Sequence, residues 1–331
     1  MAFIEVDQVS KHFQVHTKAK GMWPALKSLV KRDYTTKKAV QDISFHIERG
    51  ELVAYIGPNG AGKSTTIKML SGILQPTSGT IQVGDIVPYR DRKQNAMRMG
   101  VVFGQRSQLY WDLAMEDTFD LYKHMYKIEE RQFKRNVEFY VDLLQMQEFL
   151  TRPVRQLSLG QKMRANLAVA LLHDPDVVYL DEPTIGLDII AKSRIRQFVK
   201  EVNKEKQTTL MLTTHDMDDI EQICNRIIMI DQGQVLYDGS LSAFKESYAG
   251  GHFIRIELDS DSFWLEDERL TVVKEEGPLK TIQFQKKQIT VPEVIQILTA
   301  HNRVKDIQMR ETSIEDIVKD MYESRSTASE G

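Results

Sequence analysis

The sequence predicts an α/β fold, a largely parallel sheet covered by helices, followed by a second and smaller α/β domain. From Gln161 onward strand and helix patterns alternate: helix to His173, strand Val177 to Leu180, helix Ile189 to Lys204, strand Thr208 to Thr213, helix Asp216 to Cys224, strand Arg226 to Ile230. That alternation builds a parallel sheet. Upstream, the apolar run Leu52 to Ile56 leads through a Gly-rich loop into an amphipathic segment, Thr65 to Ser71, as a strand buried on both faces followed by a helix does. After Gly239 the pattern changes: a short helix, Gly250-Gly251, strands at Phe253 to Leu258, Leu270 to Val273 and Lys280 to Gln285, a helix near Val291 to Ala300, a strand Val304 to Met309 and a last helix Ser313 to Tyr322.

The remaining elements fit this frame. Phe3 to Val9 and Ala39 to Ile47 alternate apolar and polar residues and read as strands of one sheet. Met115 to Phe149 carries helical spacing (Phe119, Tyr122, Met125, Tyr126, then Val137, Tyr140, Val141, Leu144), an inserted helical subdomain over about residues 106–170. The expected organisation is a main domain at 1–240, a small domain at 250–325 and a flexible tail at 326–331.

Composition narrows the function classes. A chain of 331 residues accommodates one large and one small domain, and 41% hydrophobic with 27% charged residues is the balance of an ordered protein. Apolar stretches such as Val177 to Leu180 are far shorter than the roughly 20 residues of a membrane-spanning helix, and Glu5 and Asp7 spoil a secretory signal, so a cytosolic location is expected. Cys224 lies among Ile220, Ile223 and Ile227 and reads as a packed core thiol. A net charge of −3 with pI near 6.3 argues against a nucleic-acid partner. Charge is concentrated only between Thr17 and Lys38, where six lysines and Arg32 face Asp33 alone. Trp23, Leu26, Leu29 and Val30 fall there on one face of a short helix that Pro24 could begin. This insertion, residues 14–38, is expected to dock at a membrane surface or against a membrane subunit.

The chemistry is concentrated in two motifs. Gly57-Pro58-Asn59-Gly60-Ala61-Gly62-Lys63-Ser64 fits G-x-x-x-x-G-K-[ST] and sits between a buried strand and a helix. Backbone N–H groups there converge on phosphate oxygens, Lys63 reaches the β- and γ-phosphates, and Ser64 ligates Mg²⁺. Thr65 belongs to the same binding loop. The run Val177 to Leu180 ends in Asp181-Glu182, two carboxylates at the C-terminal edge of the sheet, where ligands of open α/β folds bind. Asp181 suits the Mg²⁺ shell and Glu182 a proton taken from water.

With these residues in place the chain resembles the ATP-binding subunits of ABC transporters. Leu157-Ser158-Leu159-Gly160-Gln161 is similar to the family signature LSGGQ, with Leu159 in place of the first glycine. Gln105 ends a strand where the family has a glutamine, Ile185-Gly186-Leu187-Asp188 resembles its D-loop, and His215 in Leu212-Thr213-Thr214-His215-Asp216 resembles its switch histidine. Taken singly, Gln105 also reads as a surface amide, Asp188 as a helix N-cap and His215 as a helix-start residue. The resemblance covers about residues 1–240. It implies ATP as substrate with Mg²⁺; Glu182, His215, Lys63 and Gln105 in catalysis; and Ser64, Gln105 and Asp181 around the metal. It further implies a dimer, of this chain or with a related ATPase subunit, in which Ser158, Gly160, Gln161 and Asp188 serve the partner's nucleotide.

The family's adenine-stacking aromatic follows the first strand, which points to Phe13, while Tyr34 is equally well spaced from Ala39. The segment Phe103 to Leu109 and the final Thr312 to Ile317 are similar to type-two ABC exporters. This implies an exporter ATPase beneath separate permeases, peripheral on the cytoplasmic face of the cell membrane, and a regulatory or dimer-stabilising role for 250–325. The alternative is a soluble ABC ATPase acting on ribosomes or DNA. One set of motifs, and no extended heptad pattern between Lys63 and Asp181, speak against it.

Overall fold

The computed structural model describes residues 2–16, 34–104, 107–248, 252–285, 287–310 and 314–328. These form two compact units, Met1–Ser240 and Leu241–Gly331.

The first unit is built on a six-stranded sheet of order β5-β6-β7-β3-β8-β9. Its strands are β3 (Leu52–Ile56), β5 (Met99–Phe103), β6 (Val177–Asp181), β7 (Thr209–Thr213), β8 (Arg226–Asp231) and β9 (Gln234–Ser240). The first five pair in parallel and only β9 runs antiparallel, at the edge. Every residue of β3 and β7 is buried, which is why β3 reads as a continuous apolar run rather than an alternating one. A second, antiparallel sheet of order β2-β1-β4 is formed by β1 (Ala2–His16), β2 (Tyr34–Glu48) and β4 (Ser78–Val83). One core joins the inward faces of the two sheets: Ile4, Ile43, Phe45 and Ile47 pack with Val53, Tyr55, Tyr179 and Ile228.

The first two strands are longer than their alternation predicts. Bulges between Val6 and Val9 and again between Lys11 and His12 shift the register, so polar residues continue the ladder as far as the pair His16 and Tyr34. The basic insertion between those residues, 17–33, lies outside the described residues, with its Trp23 and Pro24. Strands β4 and β9 escape the sequence reading altogether. β9 follows a turn at Gln232-Gly233, a hairpin signal that is legible in retrospect.

Helix α1 (Lys63–Leu70) follows β3, and α2 (Arg92–Arg98) precedes β5. The inserted region contains α3 (Met115–Tyr126), α4 (Glu130–Leu143) and α5 (Leu159–Leu171). α5 begins two residues before the expected Gln161 because Ser158 and Gln161 form a capping box: the Ser158 hydroxyl accepts from Gln161 N at 3.2 Å, and Gln161 Oε1 accepts from Ser158 N at 2.9 Å. α6 (Ile189–Lys206) and α7 (Met217–Ile223) complete the unit. Cys224 is buried, which pushes its thiol up.

The second unit has a four-stranded antiparallel sheet of order β11-β12-β10-β13. Its strands are β10 (His252–Leu258), β11 (Leu270–Glu276), β12 (Leu279–Phe284) and β13 (Val304–Arg310). Helix α9 (Val291–His301) lays Val294 and Leu298 on Ile254, Ile256, Ile282 and Phe284 of that sheet. α8 (Leu241–Tyr248) and α10 (Ile314–Ala328) pack together in the same unit, and α10 runs past the point where a flexible tail is expected.

His173, in the turn after α5, stacks on Tyr126 with ring centroids 3.9 Å apart, and its Nε2 lies 3.1 Å from the carbonyl of Met99. Burial pulls its imidazole from 6.5 down to about 4. Between those two values the unfolded chain binds a proton that the folded chain refuses, so stability falls as pH drops through this window, by at most about 1.4 kcal/mol per pH unit. The urea midpoint of the wild type should fall from pH 7 to pH 5 by more than that of His173→Phe. Equal falls in the two proteins would remove His173 from the cause.

Candidate active site

The turn between β3 and α1 forms the floor of a cavity of about 1060 Å³ at the carboxyl edge of the parallel strands. Pro58, Asn59, Gly60, Gly62, Lys63, Ser64 and Thr65 line it, while Gly57 and Ala61 brace the loop from behind. Gly62 caps α1 at φ 112°, and a Cβ there would lie 2.6 Å from the carbonyl oxygen of Ala39, so only glycine fits. No side chain among the described residues caps the helix. Its first N–H groups are therefore left to an incoming anion, and they carry the positive end of the helix dipole. Lys63 folds inward, donating to the carbonyls of Gly57 at 2.5 Å and Pro58 at 3.2 Å. Burial lowers its pKa, opposed by the charges of Glu182 and Asp181.

The opposite wall carries Asp181, Glu182 and His215. Asp181 ends β6 between two neighbours: its carbonyl accepts from Gly104 N at 2.7 Å, and its Oδ1 accepts from the Thr213 hydroxyl at 2.6 Å. Glu182 N donates to the Thr213 carbonyl at 2.9 Å, and Glu182 adopts φ 56°, a left-handed conformation unusual for a side chain of its size. The backbone of Gly104 approaches so closely that a Cβ there would lie 2.2 Å from the Glu182 carbonyl oxygen. Glu182 Oε1 is buried and has no hydrogen-bond partner among the described residues; His215 Nε2 stands 3.4 Å away without hydrogen-bond geometry. Burial pushes the Glu182 carboxyl up, with the charges of Asp181 and Asp219 adding to the rise, while the backbone N–H of His215 and the charge of Lys63 draw it down. Burial and the Lys63 charge together lower His215, which keeps its imidazole neutral near pH 7. A carboxylate of raised pKa beside an imidazole of lowered pKa suits a general base and a neutral partner.

Ser64 and Asp181 offer a hydroxyl and a carboxylate to the same cavity. Hard oxygen donors in that number fit Mg²⁺ completing its shell with phosphate oxygens and water. The third residue expected around the metal, Gln105, lies outside the described residues.

The rest of the lining combines apolar residues with Lys37 and Lys68. Phe13, on β1, lines the cavity together with Val15, Ala39, Ile73 and Leu74, and Lys11 Nζ lies 5.3 Å from the centre of the Phe13 ring. Tyr34 opens β2, and its side chain lies outside the described set. Val15 and Ile73 are missed by the sequence reading because an exposed apolar residue carries no motif.

The signature residues stand elsewhere. Ser158, Gly160, Gln161 and Asp188 do not line this cavity. Ser158 caps α5 and Asp188 caps α6, accepting from Ala191 N at 2.8 Å. Leu159 leaves half its surface exposed, with its side chain beside Gly186.

The phosphate loop, the paired carboxylates and the sheet order define a nucleotide-hydrolysing α/β protein. Residues 40–185 match the family model described as ABC transporter. The chain is 34% identical to the ABC transporter ATP-binding protein NatA of Bacillus subtilis (strain 168) over 63% of its own length and 85% of that protein. It is 35% identical to the Nod factor export ATP-binding protein I of Paraburkholderia xenovorans (strain LB400), over 74% of this chain and 80% of that one. Among solved structures, cbiO1 from Clostridium perfringens, part of the ABC transporter complex cbiONQ, superposes with TM-score 0.60 at 27% identity, covering 74% of this chain and 92% of that chain. The chain belongs to the ABC transporter family, as an ATP-binding subunit that hydrolyses ATP.

Gly62→Ala should weaken ATP binding at least about tenfold, because the new Cβ meets backbone and the left-handed conformation adds roughly 1–2 kcal/mol. Titration with a fluorescent ATP analogue reads the change. Affinity within twofold of wild type would show that the loop relaxes freely.

Proposed function

We propose that this chain powers an ABC exporter: two copies, or one copy and a related ATPase subunit, bind ATP between them beneath separate permease subunits on the cytoplasmic face of the membrane. The observation that carries this reading is the separation within one chain of the phosphate loop from Ser158. The cavity holds Lys63, Ser64, Asp181, Glu182 and His215 but not the signature, so a second chain is needed to bring a capped helix N-terminus to the γ-phosphate. The name of the relative from Paraburkholderia xenovorans, a Nod factor export protein, supports the outward direction. No helix among the described residues is long and apolar enough to cross a membrane.

In this reading Lys63 leaves its loop carbonyls for the β- and γ-phosphates as the nucleotide enters. Phe13 packs against the adenine. Glu182, with its unpartnered Oε1 and raised pKa, accepts the proton of the attacking water. His215, neutral, contacts the γ-phosphate. Ser64 and Asp181 would hold Mg²⁺, which neutralises phosphate charge when bound. Ser158 of the partner subunit closes the site from the opposite side. Gln105 senses the phosphate and moves the surface around Leu109 and the exposed Tyr110 and Trp111, on which the permease rests; the basic insertion 14–38 meets the membrane or the permease, and the small C-terminal domain regulates or stabilises the dimer.

A positioned general base contributes roughly 10²- to 10⁴-fold. Glu182→Gln should therefore reduce turnover by at least about 10²-fold while ATP remains bound, and protein affinity-purified from detergent-solubilised membranes should carry permease subunits with it. Wild-type turnover in Glu182→Gln would refute the base assignment; a ribosomal or DNA complex in the eluate would refute the transporter.

A further inference from the structure

The first turn of α7 buries a carboxylate that takes no part in the site described above. Asp219 is wholly inaccessible to solvent and joins three segments. Its Oδ1 accepts from Arg196 Nε on α6 at 2.5 Å. Its Oδ2 accepts from the hydroxyl of Thr184 and from that of Thr214 at 3.2 Å. Thr184 stands two residues after Glu182, and Thr214 immediately precedes His215; both threonines are buried. The Thr214 hydroxyl in turn accepts from Asp216 N at 3.0 Å, and Asp216 is held by Lys192 at 2.5 Å and Arg196 at 3.2 Å.

The energetics of this cluster are those of a rigid joint. A fully buried carboxylate is tolerated only when a cation and hydrogen-bond donors satisfy it, and removing one member leaves the others buried and unpaired. Arg196 supplies the cation, and two threonine hydroxyls supply the remaining donors. Each threonine lies in a loop that also carries a cavity residue, Glu182 or His215. The carboxylate holds both loops at once, and α6, which begins at Asp188, carries the arginine that holds the carboxylate.

We propose that Asp219, clamped by Arg196, is the positioning residue that sets the separation of Glu182 from His215 by anchoring Thr184 and Thr214. The inference rests on the reading of Glu182 as the base. None of its four residues lines the nucleotide cavity; the cluster acts through the two loops. Without the anchors the loops keep their backbone hydrogen bonds but lose their mutual registration, and a displacement of the order of 1 Å at a reacting centre is worth up to about 10²-fold in rate.

Valine at either threonine keeps the shape and removes only the hydroxyl; because it leaves the buried Asp219 short of a donor, kcat is read per folded molecule. Thr184→Val and Thr214→Val should each lower kcat about tenfold, with KM for ATP and the affinity for a fluorescent ATP analogue within about twofold of wild type. Thr184→Ser, which restores a donor, should return kcat to within about twofold. Asp219→Asn, purified as folded protein, should show the same split between kcat and KM. A purely stabilising role would instead lower the melting temperature of the valine variants and leave kcat per folded molecule unchanged; that result, or serine variants as slow as the valine ones, would overturn the proposal. Glu182→Gln in the same assay is the reference: turnover that survives it exposes a wrong base assignment, whereas unaffected threonine variants expose a wrong anchor.

Discussion

The parallel register of β5, β6 and β7 is the constraint on which the rest of the site depends. Phe103 pairs with Asp181 and Asp181 with Thr213, so three strand ends finish in one row. That row gives Asp181 and Glu182 their partners in Gly104 and Thr213, and it places His215 two residues beyond the last pair. A slip of one residue in either pairing would invert every side chain on the slipped strand and carry Asp181 to the opposite face of the sheet. The burial of β7 on both faces, and of all of β6 but its last residue, is what forbids that slip. The hydrophobic core thus acts directly on the chemistry, by fixing a register rather than by contributing stability alone.

The same sheet edge accounts for the electrostatics. Lys63, Glu182 and His215 meet in a partly desolvated cavity where each charge alters its neighbours: burial raises Glu182, and burial together with Lys63 lowers His215. Lys63 is held by carbonyls of its own loop, a compact arrangement in which the cation is satisfied before any phosphate arrives. A nucleotide therefore exchanges one set of oxygen acceptors for another, which limits the desolvation that binding requires.

Much of this was legible in the sequence, and the exceptions share a cause. The phosphate loop, the Asp181-Glu182 pair and the buried runs of β3, β6 and β7 are local patterns, because adjacent residues must meet one requirement together. The start of α5 at Leu159 is also local, written in the Ser-x-x-Gln spacing of a capping box headed by Ser158, although the apolar pattern places it at Gln161. β4 and the outer halves of β1 and β2 were not legible, since their polar residues stay in strand only through partners far away in sequence. The Asp219 cluster was hidden for the same reason: Thr184, Arg196, Thr214 and Asp219 are ordinary residues in ordinary positions until the fold brings them to one carboxylate.

The division of the site between two chains is the central claim, and the distribution of cysteine makes it directly testable. Cys224 is buried and its thiol is pushed up, so thiols introduced at the surface react against a silent background. Asn59 lines the cavity and Leu159 is exposed beside Ser158. Chains carrying Asn59→Cys can be mixed with differently tagged chains carrying Leu159→Cys, each also bearing Glu182→Gln, and treated with a short bifunctional thiol reagent. A cross-link joining the two tags that forms with ATP and is lost without it is the result expected of a composite site. A mixture that yields no such cross-link with ATP, or the same amount with and without nucleotide, would contradict it.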